Sequence, residues 1–414
     1  MSTPHRFRAR ARHLRRIVGA TASAGVRRIL RTDVGDDARF GEALVAELDQ
    51  LKGMAMKVGQ ILSYLDGILP DETQRALSVL QQGAQPVAFA VIEQVIADEL
   101  GAPIDVLFDA FDPRPIAAAS IGQVHRARRG TQRLAVKVQY PHIRETILSD
   151  VKSLRRLAGV AGLATRVDGQ AIVDDLAARL DEECDYLAEA GWLERFQDAF
   201  SADPRVVIPR AFPERSSLRV LTMEWCDGDD LGTFVAGASP DARQRAGLTL
   251  ADVAWRSLFV HGAINADPHP GNQRFREDAV VFLDFGCVRV FSPVFLGRWR
   301  RMIGALLDND RTRFEEAVIA MGIVDPMQRY DWDAHWAMER HFYAPYLTKS
   351  FTFTREWLEA GVQYTRPENP NLRRMAIPPE WIWLQRLQWG LHAVLIRLGA
   401  SGDFRSVMDT ALYS

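Results

Sequence analysis

The sequence predicts an α+β fold of two lobes, preceded by a helical extension. Helical periodicity dominates residues 36–84, and strand-like alternation follows between residues 117 and 139. The region after Phe291 is rich in tryptophan and has the pattern of helices throughout. We therefore divide the chain into a basic tail (1–34), an N-terminal helical extension (35–103), a smaller β-rich N-lobe (104–227) and a larger helical C-lobe (228–414).

Composition limits the class of protein. The net charge of −2 gives no reason to expect nucleic-acid binding. The three cysteines are widely separated, which argues against a disulfide framework or a zinc cluster and is typical of a reducing compartment, so we expect a cytoplasmic protein. No run of eighteen apolar residues is present. The nearest candidate, residues 381–398, is interrupted by polar side chains and has the pattern of an amphipathic helix.

The most specific pattern in the chain joins two short loops. Asp267-Pro-His-Pro-Gly-Asn272 is followed, after a short apolar strand, by Leu-Asp284-Phe-Gly. Protein kinases transfer phosphoryl groups with this set: one Asp faces the acceptor, while an Asn and a second Asp hold Mg²⁺ against the phosphates of ATP. The spacing therefore predicts Asp267 as the base or acceptor-orienting residue, Asn272 and Asp284 as magnesium ligands, and a protein-kinase-like fold around them.

Lys137 is the predicted phosphate-binding lysine. It lies in Leu-Ala-Val-Lys-Val, which matches the strand that carries the conserved lysine of protein kinases. Only five of the 51 basic residues are lysines, so a lysine at this position indicates a site that needs a compact ammonium group. Its partner should be a carboxylate on the next long helix, predicted over residues 170–200. We choose Glu189, which can share a helical face with Asp185.

Two further segments complete the predicted nucleotide site. A protein kinase has a glycine-rich loop over the phosphates, but this chain has alanines there, which allow fewer backbone conformations and predict a stiffer loop. The residues of this loop are Ala117, Ala118, Ala119, Ser120, Ile121, Gly122 and Gln123. A strand ending at Met223, Glu224 and Trp225 could form the hinge between the lobes, where backbone groups would bond the adenine edge. A plain edge strand is the alternative.

Together these residues resemble the UbiB/AarF family of atypical, protein-kinase-like proteins, which is associated with coenzyme Q biosynthesis. The resemblance covers roughly residues 40–300 and includes a signature that ordinary kinases lack, Lys57-Val-Gly-Gln60, in the helical extension. The alanine-rich loop and the pair Glu183 and Asp185 also match the family. The chain looks most like the shorter members, without C-terminal transmembrane helices. It departs from the family at Asn265, where many members have His, and we interpret Asn265 as a tolerated loop variant.

The resemblance carries implications for function. It implies that the helix with Lys57 and Gln60 packs over the groove where a protein kinase binds its peptide, and Lys57 could then pair with Glu183 or Asp185. It implies ATP or ADP and Mg²⁺ as cofactors, with ATP hydrolysis or transfer to a lipid-like quinone precursor rather than to proteins. We keep two alternatives, a small-molecule phosphotransferase of the aminoglycoside or choline type and a nucleotide-binding pseudokinase scaffold.

The N-terminal tail is strongly basic. Residues 1–32 contain nine arginines and no acidic residue, and apolar side chains there can share one face of a helix. Such a helix would bind an anionic membrane surface, so a peripheral location at the inner membrane is an expectation. A disordered tail and a transit peptide are the alternatives.

Overall fold

The computed structural model describes residues 87–118, 121–148, 181–327, 329–365, 369–371, 374–376 and 378–414. The chain divides into two compact units. Of the described residues, the first unit contains those from 87 to 190 together with those from 211 to 225, and the second contains those from 191 to 210 and from 226 to 414. Helices and strands occur in both units, so the prediction of a mixed fold is confirmed.

The elements of the described residues are as follows. The strands are β1 Ala110–Phe111, β2 Ala117–Ala118, β3 Gly122–Arg129, β4 Gln132–Gln139, β5 Val206–Val207, β6 Val220–Glu224, β7 Ala263–Asn265, β8 Gln273–Phe275, β9 Val280–Phe282, β10 Val288–Val290, β11 Phe351–Thr352 and β12 Ser401–Gly402. The helices are α1 Phe89–Leu100, α2 Ile104–Leu107, α3 Tyr186–Phe200, α4 Leu231–Gly237, α5 Pro240–Phe259, α6 Pro293–Leu307, α7 Arg311–Ala320, α8 Trp332–Phe342, α9 Ala344–Leu347, α10 Arg355–Thr365, α11 Pro379–Leu398 and α12 Phe404–Tyr413.

The first unit is built on an antiparallel sheet with the order β1–β3–β4–β6, and β2 also pairs with β3. β3 and β4 form a long hairpin that turns at Gly130, whose φ of 57° lies in the left-handed region that glycine tolerates. Helix α1 covers one face of this sheet, because its apolar residues Ile92 and Ile96 share a core with Val136 and Val220. The face of β4 that carries Val136 therefore packs against α1.

The second unit is centred on α5, much of which is buried. Ser239 caps this helix by accepting from the backbone N–H of Ala242, and Pro240 is its first helical residue, as expected for a helix start. Strand β5 pairs in parallel with β9, and β9 pairs antiparallel with β8. This pairing explains why residues 191–210 belong to the second unit, whereas the sequence placed them in the smaller lobe.

The C-terminal region departs from the expectation of helix alone. β11 and β12 form a two-stranded pair, with Phe351 opposite Gly402. The pair is only two residues long on each side, which is too short to give a periodic signal in the sequence. Within the described part of the chain, no helix has both the length and the apolar character needed to cross a membrane.

Candidate functional site

Lys137 and Glu189 form a buried ion pair in the first unit. The Nζ atom of Lys137 donates to both carboxylate oxygens of Glu189 at 2.9 Å, and the side chains are 10% and 2% exposed. The ammonium group also lies 4.9 Å from the centre of the Tyr186 ring. A buried ion pair contributes little net stability after desolvation, so its geometry indicates a positioning role for the ammonium group. The sequence-predicted pairing of these two residues is therefore present in the structure.

Glu189 lies on a shorter helix than the sequence predicts. Residues 181–183 are helical, but Cys184 lies in a turn, and α3 begins only at Tyr186. Asp185 precedes this helix and its Oδ1 accepts from the N–H of Ala188 at 2.9 Å, which is the geometry of an N-cap. The prediction of one helix over residues 170–200 is wrong at this point. Asp185 starts the helix rather than sharing its face with Glu189.

The family pair Glu183 and Asp185 lies directly before α3. Both side chains are half-buried. Their expected partner Lys57, together with Gln60, lies outside the described residues, so this pairing stays a prediction.

The alanine-rich loop is only partly a loop. Ala117 and Ala118 form β2, which pairs with Gln123 and Val124 of β3, and Ala119 and Ser120 lie outside the described residues. Gly122 approaches β4 so closely that a β-carbon would lie 2.2 Å from the carbonyl oxygen of Val138. At this position only glycine fits without a shift of the backbone.

The inner end of this loop faces the core. Ile121 is buried, and the fully buried Gln123 accepts from the N–H of Val87 at 3.0 Å and lies 2.9 Å from the Nε2 atom of His125. The side chains of Ile121 and Gln123 are therefore part of the core, and the nucleotide contacts predicted for these two residues stay a prediction. Among the described residues of this segment, Ala117 and Ala118 are the exposed ones.

The predicted hinge residues continue β6. The N–H of Trp225 donates to the carbonyl oxygen of Arg133 at 2.9 Å, and Met223 lies opposite Ala135 in the ladder with β4. Because hydrogen bonding alternates along an antiparallel pair, the backbone groups of Met223 and Trp225 face β4 and the carbonyl of Glu224 faces the opposite side. Residues 211 and 212 run along that side of β6, where the N–H of Phe212 donates to the carbonyl oxygen of Thr222 at 2.9 Å.

In the second unit, Asp267 and Asn272 contact each other across the Asp-Pro-His-Pro-Gly-Asn loop. The Nδ2 atom of Asn272 donates to Oδ2 of Asp267 at 2.8 Å. A short 3₁₀ turn over Pro270–Asn272 closes the loop, and Nδ1 of His269 accepts from the N–H of Gly271 at 3.0 Å. The loop thus fixes the Asp267 carboxylate through the amide of the residue predicted to bind metal.

Asn272 and Asp284 lie at the same end of the β8–β9 hairpin. Gln273 pairs with Phe282, and the N–H of Leu283 donates to the carbonyl oxygen of Asn272 at 2.9 Å. Oδ1 of Asp284 accepts from the N–H of Gly286 at 3.0 Å, which holds the loop in a tight turn. Carboxylate and amide oxygens are the ligands that Mg²⁺ prefers, so the donor set fits this ion.

Asn265 joins these two loops, a role that the sequence analysis did not recognise. Its Nδ2 atom donates to the carbonyl oxygen of Asp284 at 2.6 Å, and its Oδ1 atom accepts from the N–H of Asp267 at 3.0 Å. Asn265 therefore has a structural role in addition to being the position at which the chain departs from many members of the family. Its position directly before the motif was the available signal, because a side-chain amide carries both a donor and an acceptor.

Arg386 is a second residue of the site that the sequence analysis missed. Its Nη2 atom donates to Oδ1 of Asp267 at 2.9 Å, with side-chain exposures of 14% for Arg386 and 31% for Asp267. The two residues are 119 positions apart. A periodic pattern relates residues that are close in the sequence, so it gives no indication of a contact across this separation.

Comparisons with known proteins identify the family of this chain. The model of the ABC1 atypical kinase-like domain matches residues 79–318. The Saccharomyces cerevisiae protein named atypical kinase COQ8, mitochondrial, is 29% identical over 369 residues, which are 87% of this chain and 74% of that protein. An uncharacterized aarF domain-containing protein kinase of the Arabidopsis thaliana chloroplast is 34% identical over 280 residues, which are 66% of this chain but only 39% of that protein.

Among solved structures, the Rv3197–erythromycin complex from Mycobacterium tuberculosis has a TM-score of 0.68 with this chain at 27% sequence identity. The match covers 87% of this chain and 93% of the other. The mixed helix-and-sheet fold is therefore of the kinase-like type. Since the family model covers more than half of the sequence, the chain belongs to the ABC1 (UbiB/AarF) family of atypical kinase-like proteins.

Proposed function

We propose that this chain is an ATP-dependent atypical kinase or ATPase that supports isoprenoid-quinone metabolism, including ubiquinone biosynthesis, at a membrane surface. The observation that carries the proposal is the meeting of Asp267, Asn272 and Asp284 at the linked loops of the second unit. In phosphoryl transfer, catalysis consists mainly of positioning and charge stabilisation, and these are the residue types that perform both tasks.

The site residues have the following parts in the proposed reaction. Lys137, held by Glu189, binds the α- and β-phosphates of ATP. Asn272 and Asp284 would hold Mg²⁺, and this ion would supply positive charge that neutralises the phosphates. Asp267 orients the acceptor hydroxyl or water. The acceptor oxygen bonds to the γ-phosphorus while the bond to the β–γ bridging oxygen breaks, and the acceptor proton passes to Asp267 and then to solvent.

The acceptor in this proposal is water or a lipid-like quinone precursor. The yeast relative is named as a mitochondrial atypical kinase, and this name supports an organelle setting for the proposed activity. The arginine-rich residues 1–34 would bring the chain to anionic lipid, and the Lys57–Gln60 segment would restrict access of peptides. Both parts of this proposal rest on sequence alone.

Phosphate release by the full chain, with ATP and Mg²⁺, tests the proposal. We expect the parent to release phosphate at least tenfold faster than Asp267→Asn, and vesicles of anionic lipid to increase the rate further. Vesicles of neutral lipid are the matched control. Equal rates in the parent and Asp267→Asn, with ATP binding retained in both, would refute turnover and favour the pseudokinase scaffold, for which the alanine-rich loop is the supporting feature.

A further inference from the structure

Helix α11 presents one face to the Asp267 loop and to β10, the strand that follows the Asp284 loop. Trp383, Arg386 and Gly390 are spaced three and four residues apart, so they lie on the same side of the helix. Arg386 binds Asp267, and a β-carbon at Gly390 would lie 2.1 Å from Cγ of Pro268. The Trp383 ring lies 4.2 Å from the guanidinium carbon of Arg289, which follows the Asp284 loop. The helix therefore contacts the Asp267 loop twice and the strand after the Asp284 loop once.

The contact with Arg386 completes the hydrogen bonding of the Asp267 carboxylate. Oδ2 accepts from Asn272 and Oδ1 accepts from Arg386. Two donors on different oxygens fix both the position and the plane of a carboxylate, and a charged donor makes the stronger bond. Among the residues that the structure describes, loss of Arg386 would leave the Asn272 amide as the side-chain donor to the Asp267 carboxylate, and Asn272 is also a proposed metal ligand.

The loop itself supplies no cation for this task. Residues 267–272 are Asp-Pro-His-Pro-Gly-Asn and contain neither Lys nor Arg. The cation comes instead from α11, at a position 68 residues beyond the end of the segment that matches the ABC1 domain, since 386 − 318 = 68. The guanidinium of Arg386 is a planar, permanently charged donor, and its Nη2 atom makes the bond to Asp267.

We propose that Arg386 is the positioning residue of Asp267, so that α11, outside the matched domain, completes the catalytic loop. This inference rests on the proposed function, because it assigns Asp267 to the acceptor. Arg386 acts on the orientation of Asp267 and leaves nucleotide binding to the residues of the other segments.

The test compares steady-state phosphate release by the full-length parent and by three single variants, Arg386→Gln, Arg386→Lys and Asp267→Asn. A double variant that combines Arg386→Gln with Asp267→Asn is measured as well. We expect Arg386→Gln to lower kcat at least tenfold with KM for ATP within twofold, and Arg386→Lys to restore part of the loss. In the Asp267→Asn background, Arg386→Gln should have no further effect, because its target is already absent. Arg397→Gln, on an exposed position of the same helix, is the matched control and should resemble the parent.

Gly390→Ala provides an independent variant that alters no charge. Its β-carbon must push α11 and Pro268 apart, so kcat should fall in the same direction as for Arg386→Gln. Gly297→Ala, where a β-carbon meets nothing within 4 Å, is the control for a glycine change in a helix. The thermal shift caused by ATP and Mg²⁺ is measured for every variant, and it should stay at the parent value for Arg386→Gln.

The outcomes separate this inference from the proposed function. If Arg386→Gln keeps kcat within twofold while Asp267→Asn is inactive, the inference is overturned and the proposed function stands. The inference is also overturned if Arg386→Gln lowers kcat by the same factor in the parent and in the Asp267→Asn background. Loss of the ATP-induced thermal shift in Arg386→Gln would overturn it too. If the parent and Asp267→Asn release phosphate equally slowly, the proposed function fails, and the positioning role fails with it.

Discussion

The side-chain amide of Asn265 holds the backbone carbonyl of Asp284, with 2.6 Å between Nδ2 and the oxygen. The same amide accepts from the backbone of Asp267 through Oδ1. One side chain therefore sets the distance between the loop proposed to orient the acceptor and the loop proposed to bind Mg²⁺. The pairing of Asn265 with Val288 in the β7–β10 ladder fixes the backbone from which this amide projects.

Changes at Asn265 should therefore reduce turnover. Asn265→Ala removes both hydrogen bonds and should lower kcat for phosphate release roughly tenfold, corresponding to about 1.4 kcal/mol in the activation free energy. Asn265→Asp keeps the acceptor for Asp267 but removes the donor to Asp284, so it should weaken Mg²⁺-dependent binding of ATP as well. A rate for Asn265→Ala within twofold of the parent would show that the loops hold their spacing without this residue.

The Lys137–Glu189 pair gives a prediction about charge geometry. Lys137→Arg should lower phosphate release at least tenfold, although the charge is kept, because the wider guanidinium does not fit the space of an ammonium group. Lys349→Arg, at an exposed position, is the matched control and should have no effect. ATPase activity of Lys137→Arg within twofold of the parent would remove Lys137 from the phosphate site.

Gly122 gives a prediction about stability. Gly122→Ala places a β-carbon 2.2 Å from the carbonyl oxygen of Val138, so β3 and β4 must separate locally. We expect the free energy of unfolding to fall by about 1–3 kcal/mol, the usual range for overpacking. Gly191→Ala, in α3 with nothing within 4 Å of the new carbon, should instead be neutral or raise stability by roughly 0.5–1 kcal/mol. Equal melting temperatures for the two variants would contradict this account of the loop.

His392 gives a prediction about pH. Burial lowers its pKa from 6.5 to about 3, and its ring packs against Phe353 and Trp357 at centroid distances of 5.3 and 5.0 Å. The native state keeps this ring neutral while the unfolded chain takes up a proton below pH 6.5, so stability should be lost as pH falls. At pH 5 the loss from this group is about 2 kcal/mol.

A comparison of pH slopes isolates this contribution. His392→Phe should reduce the dependence of unfolding free energy on pH by up to about 1.4 kcal/mol per pH unit below pH 6. His142→Gln, which changes an exposed histidine, should leave the slope unchanged. The same slope in the parent and His392→Phe would show that the buried ring is protonated in the native state.

Local sequence patterns predicted many of the site residues, but they did not predict contacts between residues that are far apart in the sequence. The match of β4 to the strand of the kinase lysine led us to expect a carboxylate on the following helix, and Glu189 is that partner across 52 positions. The face that Glu189 was expected to share with Asp185 is absent, because Asp185 precedes α3. The N-cap at Asp185 was missed because a row of acidic residues has the same pattern at the start of a helix as on the exposed face of a continuous helix. Arg386 was not predictable, since its contact with Asp267 depends on how α11 packs and has no signal in its own neighbours.

Mg²⁺-dependent binding of ATP tests the central claim most directly. Asp284→Asn removes the main anionic ligand of the proposed metal site, so the extra thermal shift that Mg²⁺ adds to ATP should disappear while the melting temperature without nucleotide is kept. Asp278→Asn, an exposed aspartate beyond the other end of the β8–β9 hairpin, is the matched control and should retain the full shift. A Mg²⁺-dependent shift in Asp284→Asn equal to that of the parent would contradict the proposed site.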